Sequence, residues 1–337
     1  MSICLRRREF IAGLGGAAAW PLAVWAQQGE RVRRVGFLWP QDPDSQSRIV
    51  SLRQALIPSF RQALKDLGWN EGRNLWLDFP FAPAGDLNRI RSETSELVRL
   101  APDVIVSVGG AAFNAAQQET KTIPIVFVGT GDPAETAVKN IARPEGNVTG
   151  FANAFGSLGG KWLQLLKEAA PNVTRVAFLG GPRGITVYLP SVEAAGRALG
   201  VQVVAIPVRE FSDAASIKAA IETFAAEPNG GVLPGPGVLS FLQRELIQLT
   251  ERHRLPMIAG ARSFAANGAL MSYDSDPYEL VRGAASYVDR ILHGAKVSEL
   301  PVQYPTKFRL VINLKTAKAI GVEIPPTLRA LADEVIE

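Results

Sequence analysis

Two short loops carry groups that could bind the polar end of a small molecule. Residues 109–112, of sequence Gly-Gly-Ala-Ala, open a helical segment directly after a β-rich run. Free backbone N–H groups and the helix dipole at such a position suit a carboxylate. Residues 129–133 follow the next β-rich run, where Thr130 could donate to a ligand oxygen and Asp132 could accept from an ammonium group. The candidate ligand-binding residues of these loops are Gly110, Ala111, Thr130 and Asp132.

Aromatic side chains near other loops could line the same site. Tyr273 ends a further β-rich run, so its ring could present an aromatic face to a ligand. Asp276, three residues later, adds a carboxylate. Trp39 and Phe155 are further candidates for stacking against a ligand.

Each of these candidates also has a simpler structural interpretation. The paired glycines of residues 109–112 are typical of a tight turn that allows close packing. Asp132 and Asp276 each precede a proline, the pattern of a helix N-cap followed by proline at the first helical position. A single aromatic residue such as Trp39 or Phe155 belongs to a hydrophobic core more often than to a site. The sequence leaves both interpretations open.

The sequence lacks the motifs of common catalytic and cofactor sites. Its two histidines, His253 and His293, are not in H-E-x-x-H or another metal-binding spacing. There is no G-x-S-x-G nucleophile elbow, and no glycine-rich phosphate loop follows the first β-rich run. We therefore predict that the protein is not an enzyme, with no catalytic residue, metal or cofactor. A cofactor-free enzyme that uses carboxylates or serine stays open.

The elements that must position these loops occur twice along the chain. Residues 34–40 and 175–182 are β-rich runs that end in proline-containing loops, and each is followed by alternating helical and β-rich segments. Alternation at this spacing predicts βαβ units in parallel sheets. The predicted fold class is α/β, with two doubly wound parallel-sheet lobes and a ligand cleft and hinge between them.

The first 26 residues have the pattern of an export signal. Arg7 and Arg8 are followed by Phe10 and Ile11, then by a short apolar run that ends before Ala26. The arginine pair indicates the twin-arginine type, and a general export signal is the alternative. The only cysteine, Cys4, lies within this segment, so the mature chain would have no disulfide and no lipid-anchoring cysteine.

The charge balance argues against a nucleic-acid partner. The formal net charge of +4 falls to +2 once the three arginines and one glutamate of residues 6–9 are removed with the signal. No basic stripe is present in the remaining sequence. No second long apolar run follows the signal, so we expect no direct membrane insertion after cleavage.

Several longer motifs resemble one known family. Together they cover nearly the whole chain: residues 67–74 (Leu-Gly-Trp-Asn-Glu-Gly-Arg-Asn), 142–150 (Ala-Arg-Pro-Glu-Gly-Asn-Val-Thr-Gly), 305–308 (Pro-Thr-Lys-Phe), 311–317 and 329–336. The chain resembles the ABC-transporter substrate-binding family related to tryptophan/tyrosine-binding lipoproteins. The resemblance implies a type I periplasmic binding protein, in which two lobes joined by three crossovers trap a ligand by hinge closure.

The resemblance also implies domain boundaries. After an export signal at 1–26, the N-terminal lobe would comprise residues 33–151 plus 276–300, and the C-terminal lobe residues 152–275 plus 301–337. Ligand binding by strand-end loops adds weight to Gly110, Ala111, Thr130, Asp132 and Tyr273. Two segments depart from the family pattern: residues 45–58, where Pro58 should kink a helix or begin a new one, and the loop 180–186, which lacks the usual Asn-Pro.

We therefore expect an extracytoplasmic solute-binding subunit of an ABC importer. It would be a soluble periplasmic monomer that captures an aromatic or branched amino acid, or a related small carboxylate, and delivers it to a permease in the inner membrane. The first alternative is a sensory receptor that presents its ligand to a membrane signalling protein. The second and less favoured alternative is an exported enzyme on the same fold.

Overall fold

The computed structural model describes residues 31–39, 48–80, 82, 86–130, 138–153, 155–208, 214–235 and 239–337. The export signal predicted at residues 1–26 and the candidate ligand residue Asp132 lie outside these ranges. In the described part of the chain, no helix is both long and apolar enough to cross a membrane.

A five-stranded parallel sheet forms the first half of the molecule. The elements in chain order are β1 (Arg33–Leu38), α1 (Arg48–Asp66), β2 (Leu75–Asp78), α2 (Leu87–Arg99), β3 (Val104–Val108), α3 (Gly110–Glu119), β4 (Ile125–Val128) and β5 (Val148–Phe151). The strand order in the sheet is β2-β1-β3-β4-β5. Helices cover the central strands on both faces, so the residues of β3 and β4 are almost all buried.

The rest of the chain forms a second layer of seven strands with its helices. The elements are α4 (Leu158–Ala169), β6 (Arg175–Gly180), α5 (Pro182–Val187), α6 (Leu189–Leu199), β7 (Gln202–Pro207), α7 (Ala214–Ala225), β8 (Gly230–Pro234), α8 (Leu239–Arg252), β9 (Ile258–Ala259), α9 (Arg262–Asn267), β10 (Met271–Ser275), α10 (Pro277–Leu292), a 3-10 turn (Val297–Glu299), β11 (Phe308–Asn313), α11 (Leu314–Ile320), α12 (Pro326–Ala330) and β12 (Glu334–Ile336). Strands in the order β7-β6-β8 are linked to strands in the order β12-β11-β10-β9 by a bridge between Val232 and Met257. Helix α10 is the exception among these elements, because it packs on the first sheet.

Helix α10 follows the second sheet in sequence but packs on the first. Its apolar stripe, which includes Val281, Ala284 and Val288, shares one buried core with Val35 and Phe37 of β1. The chain therefore passes between the two sheets three times: after β5, between β10 and α10, and between the 3-10 turn and β11.

Hydrogen bonds hold the third passage against β5. The Thr149 hydroxyl donates to the Leu300 carbonyl over 2.6 Å. The Gln303 amide donates to the Gly150 carbonyl over 2.9 Å, and its own carbonyl accepts from the Ala152 amide over 2.8 Å. Residues 300–303 therefore behave as an extra edge segment of the first sheet, and only the short stretch from 304 to 307 separates this segment from β11.

The α/β fold class with two parallel-sheet layers is confirmed, and three local expectations need correction. Strands β10 and β11 pair antiparallel, an arrangement the repeat did not predict. Pro58 lies inside α1, so it does not begin a new helix. Residues 182–187, predicted as a loop, form the short helix α5, because Pro182 at its first turn has the φ angle that a helix needs.

Candidate ligand-binding site

The carboxyl ends of β3 and β4 place a set of hydrogen-bond donors together. Helix α3 begins at Gly110, directly after β3, and no side chain caps its first turn. Gly109 turns the chain with φ 81°, a left-handed value that favours glycine. Its amide donates to the Val128 carbonyl over 2.9 Å, which holds the start of α3 against the end of β4. The amides of the first turn are thus available to an anionic group.

Thr130 adds a hydroxyl to this set. The β3–β4 register ends at the pair Val108 and Val128, and Gly110 and Thr130 each lie two residues beyond that pair, at the same edge of the sheet. Thr130 is only 6% exposed, and its Oγ1 has no hydrogen-bond partner among the described residues. Leaving a buried hydroxyl unpaired costs about 1–3 kcal/mol, so this atom is suited to a ligand oxygen.

Four aromatic residues from distant parts of the chain form what we call the hinge aromatic cluster: Phe155, Tyr273, Tyr304 and Phe308. The rings of Tyr273 and Phe308 stack with centroids 5.3 Å apart and an interplanar angle of 18°. The ring centroid of Phe155 lies 5.8 Å from that of Phe308 and 6.4 Å from that of Tyr304, and both contacts are edge-on. Phe155 belongs to the first passage and Tyr304 to the third. Phe308 begins β11, directly after the third passage, and Tyr273 lies three residues before the second passage. The cluster therefore joins residues in or next to all three passages.

The donor set and the hinge aromatic cluster lie along the same edge of the first sheet. The Gly129 amide donates to the Phe151 carbonyl over 2.9 Å. A side chain at Gly129 would begin 3.9 Å from the Asn153 side chain, two residues before Phe155. Thr130 therefore stands next to the first passage, which leads directly to the aromatic rings.

Trp162 of α4 fixes the backbone at Tyr273. Its Nε1–H donates to the Tyr273 carbonyl over 2.8 Å. The indole is 1% exposed and stacks on the Tyr188 ring at 5.7 Å. A buried side chain of α4 therefore helps to fix the end of β10, and with it the position of the Tyr273 ring.

Asp274 lies on the opposite face of β10 from Tyr273, in a cluster of charged groups. Burial raises the pKa of Asp274 to about 6, against the lowering effects of the Arg262 amide hydrogen bond and of the Arg309 and Arg262 charges. The Arg262 amide donates to its Oδ2 over 2.9 Å. The Arg262 guanidinium in turn pairs with Glu334 of β12, where this pairing lowers the pKa of the glutamate.

We expect Asp274→Asn to stabilise the protein at neutral pH. The folded-state pKa lies above the unfolded value of about 3.9, so the protonated form is favoured by folding. This contribution is present below about pH 4 and is lost as pH rises through 6, a difference of up to about 3 kcal/mol. Urea unfolding at pH 4 and pH 8 should show the variant and the parent equal at the lower pH and the variant more stable at the higher.

The exposed Asp66 at the end of α1 provides the matched control, because Asp66→Asn makes the same chemical change without removing a buried carboxyl group. A loss of stability in Asp274→Asn at pH 8 would mean that Arg262 and Arg309 stabilise the charged carboxylate more than burial destabilises it.

The remaining predicted site residues lie in different surroundings. Trp39 follows β1 at the same sheet edge, half-buried, with its ring 6.4 Å from Phe37. Asp276 caps α10, since its Oδ1 accepts from the Tyr278 amide over 2.8 Å, as the N-cap interpretation predicts. The structure places Gly110, Ala111 and Thr130 at the carboxyl ends of two neighbouring strands, with Ala111 packed against the Ala82, Ile90 and Ala115 cluster, and it places Phe155 and Tyr273 in one aromatic cluster. For every one of these residues, ligand contact stays a prediction.

Sequence reasoning missed Phe308, Tyr304 and Trp162 as site residues. Tyr304 precedes, and Phe308 ends, the motif that the family resemblance singled out at residues 305–308, but no role followed from this motif. The available signal was two aromatic residues four apart around a proline, just before a strand. Nothing in the sequence links Trp162 to Tyr273, because the contact joins a side chain to a backbone carbonyl 111 residues away.

The described part of the chain contains no group of three or more His, Cys, Asp or Glu residues placed to hold a metal ion. The groups assembled at the strand ends are hydrogen-bond donors and aromatic faces. Such an arrangement can bind a small molecule with a carboxylate and an apolar or aromatic body.

Comparisons with known proteins show the family and the fold. The model of a family described as ABC transporter substrate binding protein matches residues 52–336. The tyrosine-binding protein of Clostridioides difficile is 24% identical over 267 residues, which are 78% of this chain and 76% of that protein.

Two solved structures share the fold. A conserved domain protein from Vibrio cholerae is 26% identical, with a TM-score of 0.77 over 90% of this chain and 100% of its own. An ABC domain from Streptococcus pneumonia in complex with L-Trp is 20% identical, with a TM-score of 0.78 over 90% of this chain and 99% of its own. These likenesses confirm the predicted two-lobed fold.

Proposed function

The chain belongs to the family of ABC transporter substrate-binding proteins, and from this membership we propose that it is the solute-capturing subunit of an importer. It binds a small solute in the periplasm, after export through the twin-arginine signal, and delivers it to a permease in the inner membrane. It does so as a soluble monomer and catalyses no reaction.

The ligand in this proposal is an aromatic or branched amino acid, or a related carboxylate. The observation that carries it is that the uncapped α3 amides and the buried Thr130 hydroxyl, which has no partner among the described residues, lie at the same edge of the first sheet. These donors bind the ligand carboxylate. Asp132, which lies outside the described residues, binds the ammonium group of the ligand. The relatives that bind tyrosine and L-Trp support this choice of ligand class.

The body of the ligand extends toward the hinge aromatic cluster, where Tyr273 and Phe155 provide aromatic faces. Trp39 stands at the end of β1 on the same sheet edge and adds a further wall. The Asp276 carboxylate acts on the ligand indirectly, through the cap that fixes the start of α10.

Ligand capture proceeds by hinge closure of two lobes. The lobes are residues 33–151 plus 276–300 and residues 152–275 plus 301–337, and the three passages between the sheets form the hinge. A ligand that contacts both lobes at once stabilises the closed state and shifts the population toward it.

Thermal unfolding and calorimetry against a ligand panel test the proposal. The panel comprises L-Trp, L-Tyr, L-Phe, L-Leu, L-Ile and the acid that lacks the ammonium group, indole-3-acetate. A ligand at one hundred times its Kd should stabilise the folded protein by about 2.7 kcal/mol. Failure of every panel member to stabilise the protein would contradict the proposed ligand class.

Thr130→Val should weaken ligand binding while leaving the ligand-free protein as stable as before, or more stable. Valine has the shape of threonine without the hydroxyl, and this hydroxyl has no partner to lose among the described residues. Loss of a ligand hydrogen bond at a buried site should raise the Kd about 10- to 100-fold. Calorimetry measures the affinity and urea unfolding measures the stability.

Thr149→Val is the matched control. The Thr149 hydroxyl is buried but already donates to Leu300, so its removal should lower stability with little effect on Kd. If Thr130→Val lowers stability and affinity together, the Thr130 hydroxyl has a structural role and does not contact the ligand.

A further inference from the structure

A cavity lies at the opposite end of the first sheet from the candidate ligand site. It has a volume of about 360 Å³ and opens beside the amino ends of β1 and β2 and the end of α10. Its lining combines cationic, aromatic and apolar side chains, among them Arg31, Arg33, Leu67, Trp69, Leu292 and His293. Because the strands are parallel, this amino-end pocket is a full strand length away from the loops that follow β3 and β4.

One carboxylate holds the two aromatic rings of the amino-end pocket in place. The Trp69 Nε1–H donates to Asp289 Oδ1 over 2.9 Å, and His293 Nδ1 lies 3.1 Å from the same oxygen. The two rings are 5.3 Å apart at an angle of 56°. Trp69 and His293 therefore form a fixed wall, and Leu67, 42% exposed, adds apolar surface beside it.

The turn that carries Trp69 is itself held in shape. The Asn74 side chain accepts from the Asn70 amide over 2.7 Å and donates to the Gly68 carbonyl over 3.1 Å. These residues belong to the motif at 67–74, and the Trp69 amide also donates to the Leu64 carbonyl over 2.9 Å at the end of α1. The wall of the pocket is thus held in shape by hydrogen bonds within the protein.

The arginines at the mouth of the amino-end pocket share a single acidic partner. Arg33 Nη1 lies 3.0 Å from Asp103 Oδ1, and Arg31 Nη2 lies 3.7 Å from the same oxygen. Asp103 Oδ2 already accepts from the Arg34 amide over 2.8 Å. Arg31 is 77% exposed and makes no hydrogen bond within the described ranges, so its guanidinium can bind another anion.

We infer that the amino-end pocket is a second binding site, outside the cleft, for a small ligand in which a planar ring carries a carboxylate or phosphate group. The guanidinium groups of Arg31 and Arg33 bind the anion, because their planar N–H fork matches both oxyanions. The ring packs against Trp69 and the neighbouring leucines. The volume of this cavity lies within the range of small-molecule sites.

Phenyl phosphate and inorganic phosphate are the probes that test this site. The reporter is the Trp69 indole N–H signal in a ¹H–¹⁵N spectrum, assigned by its absence in Trp69→Phe. Phenyl phosphate should shift this signal saturably. The double variant Arg31→Ala, Arg33→Ala should weaken binding about tenfold or more, since it removes the charged hydrogen bonds. Arg197→Ala, at an exposed arginine of α6, should leave the affinity unchanged.

Binding at the amino-end pocket should be equal in the parent and in Thr130→Val, which separates this site from the cleft. Inorganic phosphate, which has no ring, should bind more weakly than phenyl phosphate. The inference is overturned if phenyl phosphate gives no saturable shift, if the double arginine variant binds as well as the parent, or if Thr130→Val abolishes the shift. Equal affinities for the two probes would overturn the role of the ring.

Discussion

Replacing Gly150 by alanine should prevent folding or lower the free energy of unfolding by about 4 kcal/mol or more. Gly150 lies in β5 with φ 150°, and an added Cβ would sit 2.2 Å from the Phe127 carbonyl oxygen and 2.5 Å from the Phe127 nitrogen. Both atoms belong to the backbone of β4, so neither can rotate aside. The substitution therefore separates two paired strands of the first sheet, at the point where the third passage is attached.

Urea unfolding followed by circular dichroism measures this effect. Gly181→Ala is the matched control, because a Cβ at Gly181 would meet only the Val208 carbonyl at an ordinary 3.7 Å. The control should change stability by less than about 0.5 kcal/mol. A Gly150→Ala protein that folds with nearly parental stability would show that β4 and β5 can separate without breaking the sheet.

Trp162→Ala should lower the free energy of unfolding by about 3–5 kcal/mol, the range for removing a large aromatic side chain from a core. The indole is almost fully buried among residues of α4, β6 and β10. Its loss also leaves the Tyr273 carbonyl without its 2.8 Å hydrogen bond. We expect affinity for aromatic ligands to fall as well, because the end of β10 is no longer fixed.

Trp162→Phe separates packing from hydrogen bonding. It keeps most of the buried volume, so its stability should lie between those of the parent and the alanine variant. The affinity for aromatic ligands should nevertheless fall, since phenylalanine has no donor for the Tyr273 carbonyl. An unchanged affinity in Trp162→Phe would mean that the position of Tyr273 does not depend on this hydrogen bond. Calorimetry with the tightest-binding member of the panel provides the measurement.

The alternation of strands and helices was predictable because each central strand is a short, continuous apolar run. Residues 104–108 and 230–234 are such runs, and the structure forms β3 and β8 there. Strands β5 and β12 were not predicted. They have four and three residues, and β5 contains threonine and glycine, so only pairing with a longer neighbour makes them strands.

The donor set was predictable from local sequence, whereas the hinge aromatic cluster was not. A glycine pair after a buried run places the start of a helix at a strand end, and the neighbouring strand necessarily brings Thr130 to the same edge. Phe155 lies more than a hundred residues before Tyr273 in the sequence. Tyr273 and Phe308 belong to two different strands, with helix α10 between them in the chain. Their contact depends on the antiparallel pairing of β10 with β11, which sets Tyr273 opposite Leu310 and which the repeat gave no reason to expect.

The attachment of residues 300–303 to β5 has a consequence for the amplitude of domain rotation. With that segment fixed, the third connection can bend only over residues 304–307, and the second connection consists of Asp276 alone, whose side chain is already bonded to Tyr278. A one-residue connection permits twisting about its two backbone torsions but almost no translation. We therefore expect opening to be a rotation about an axis close to Asp276, with the widest excursion at the rim farthest from this pivot.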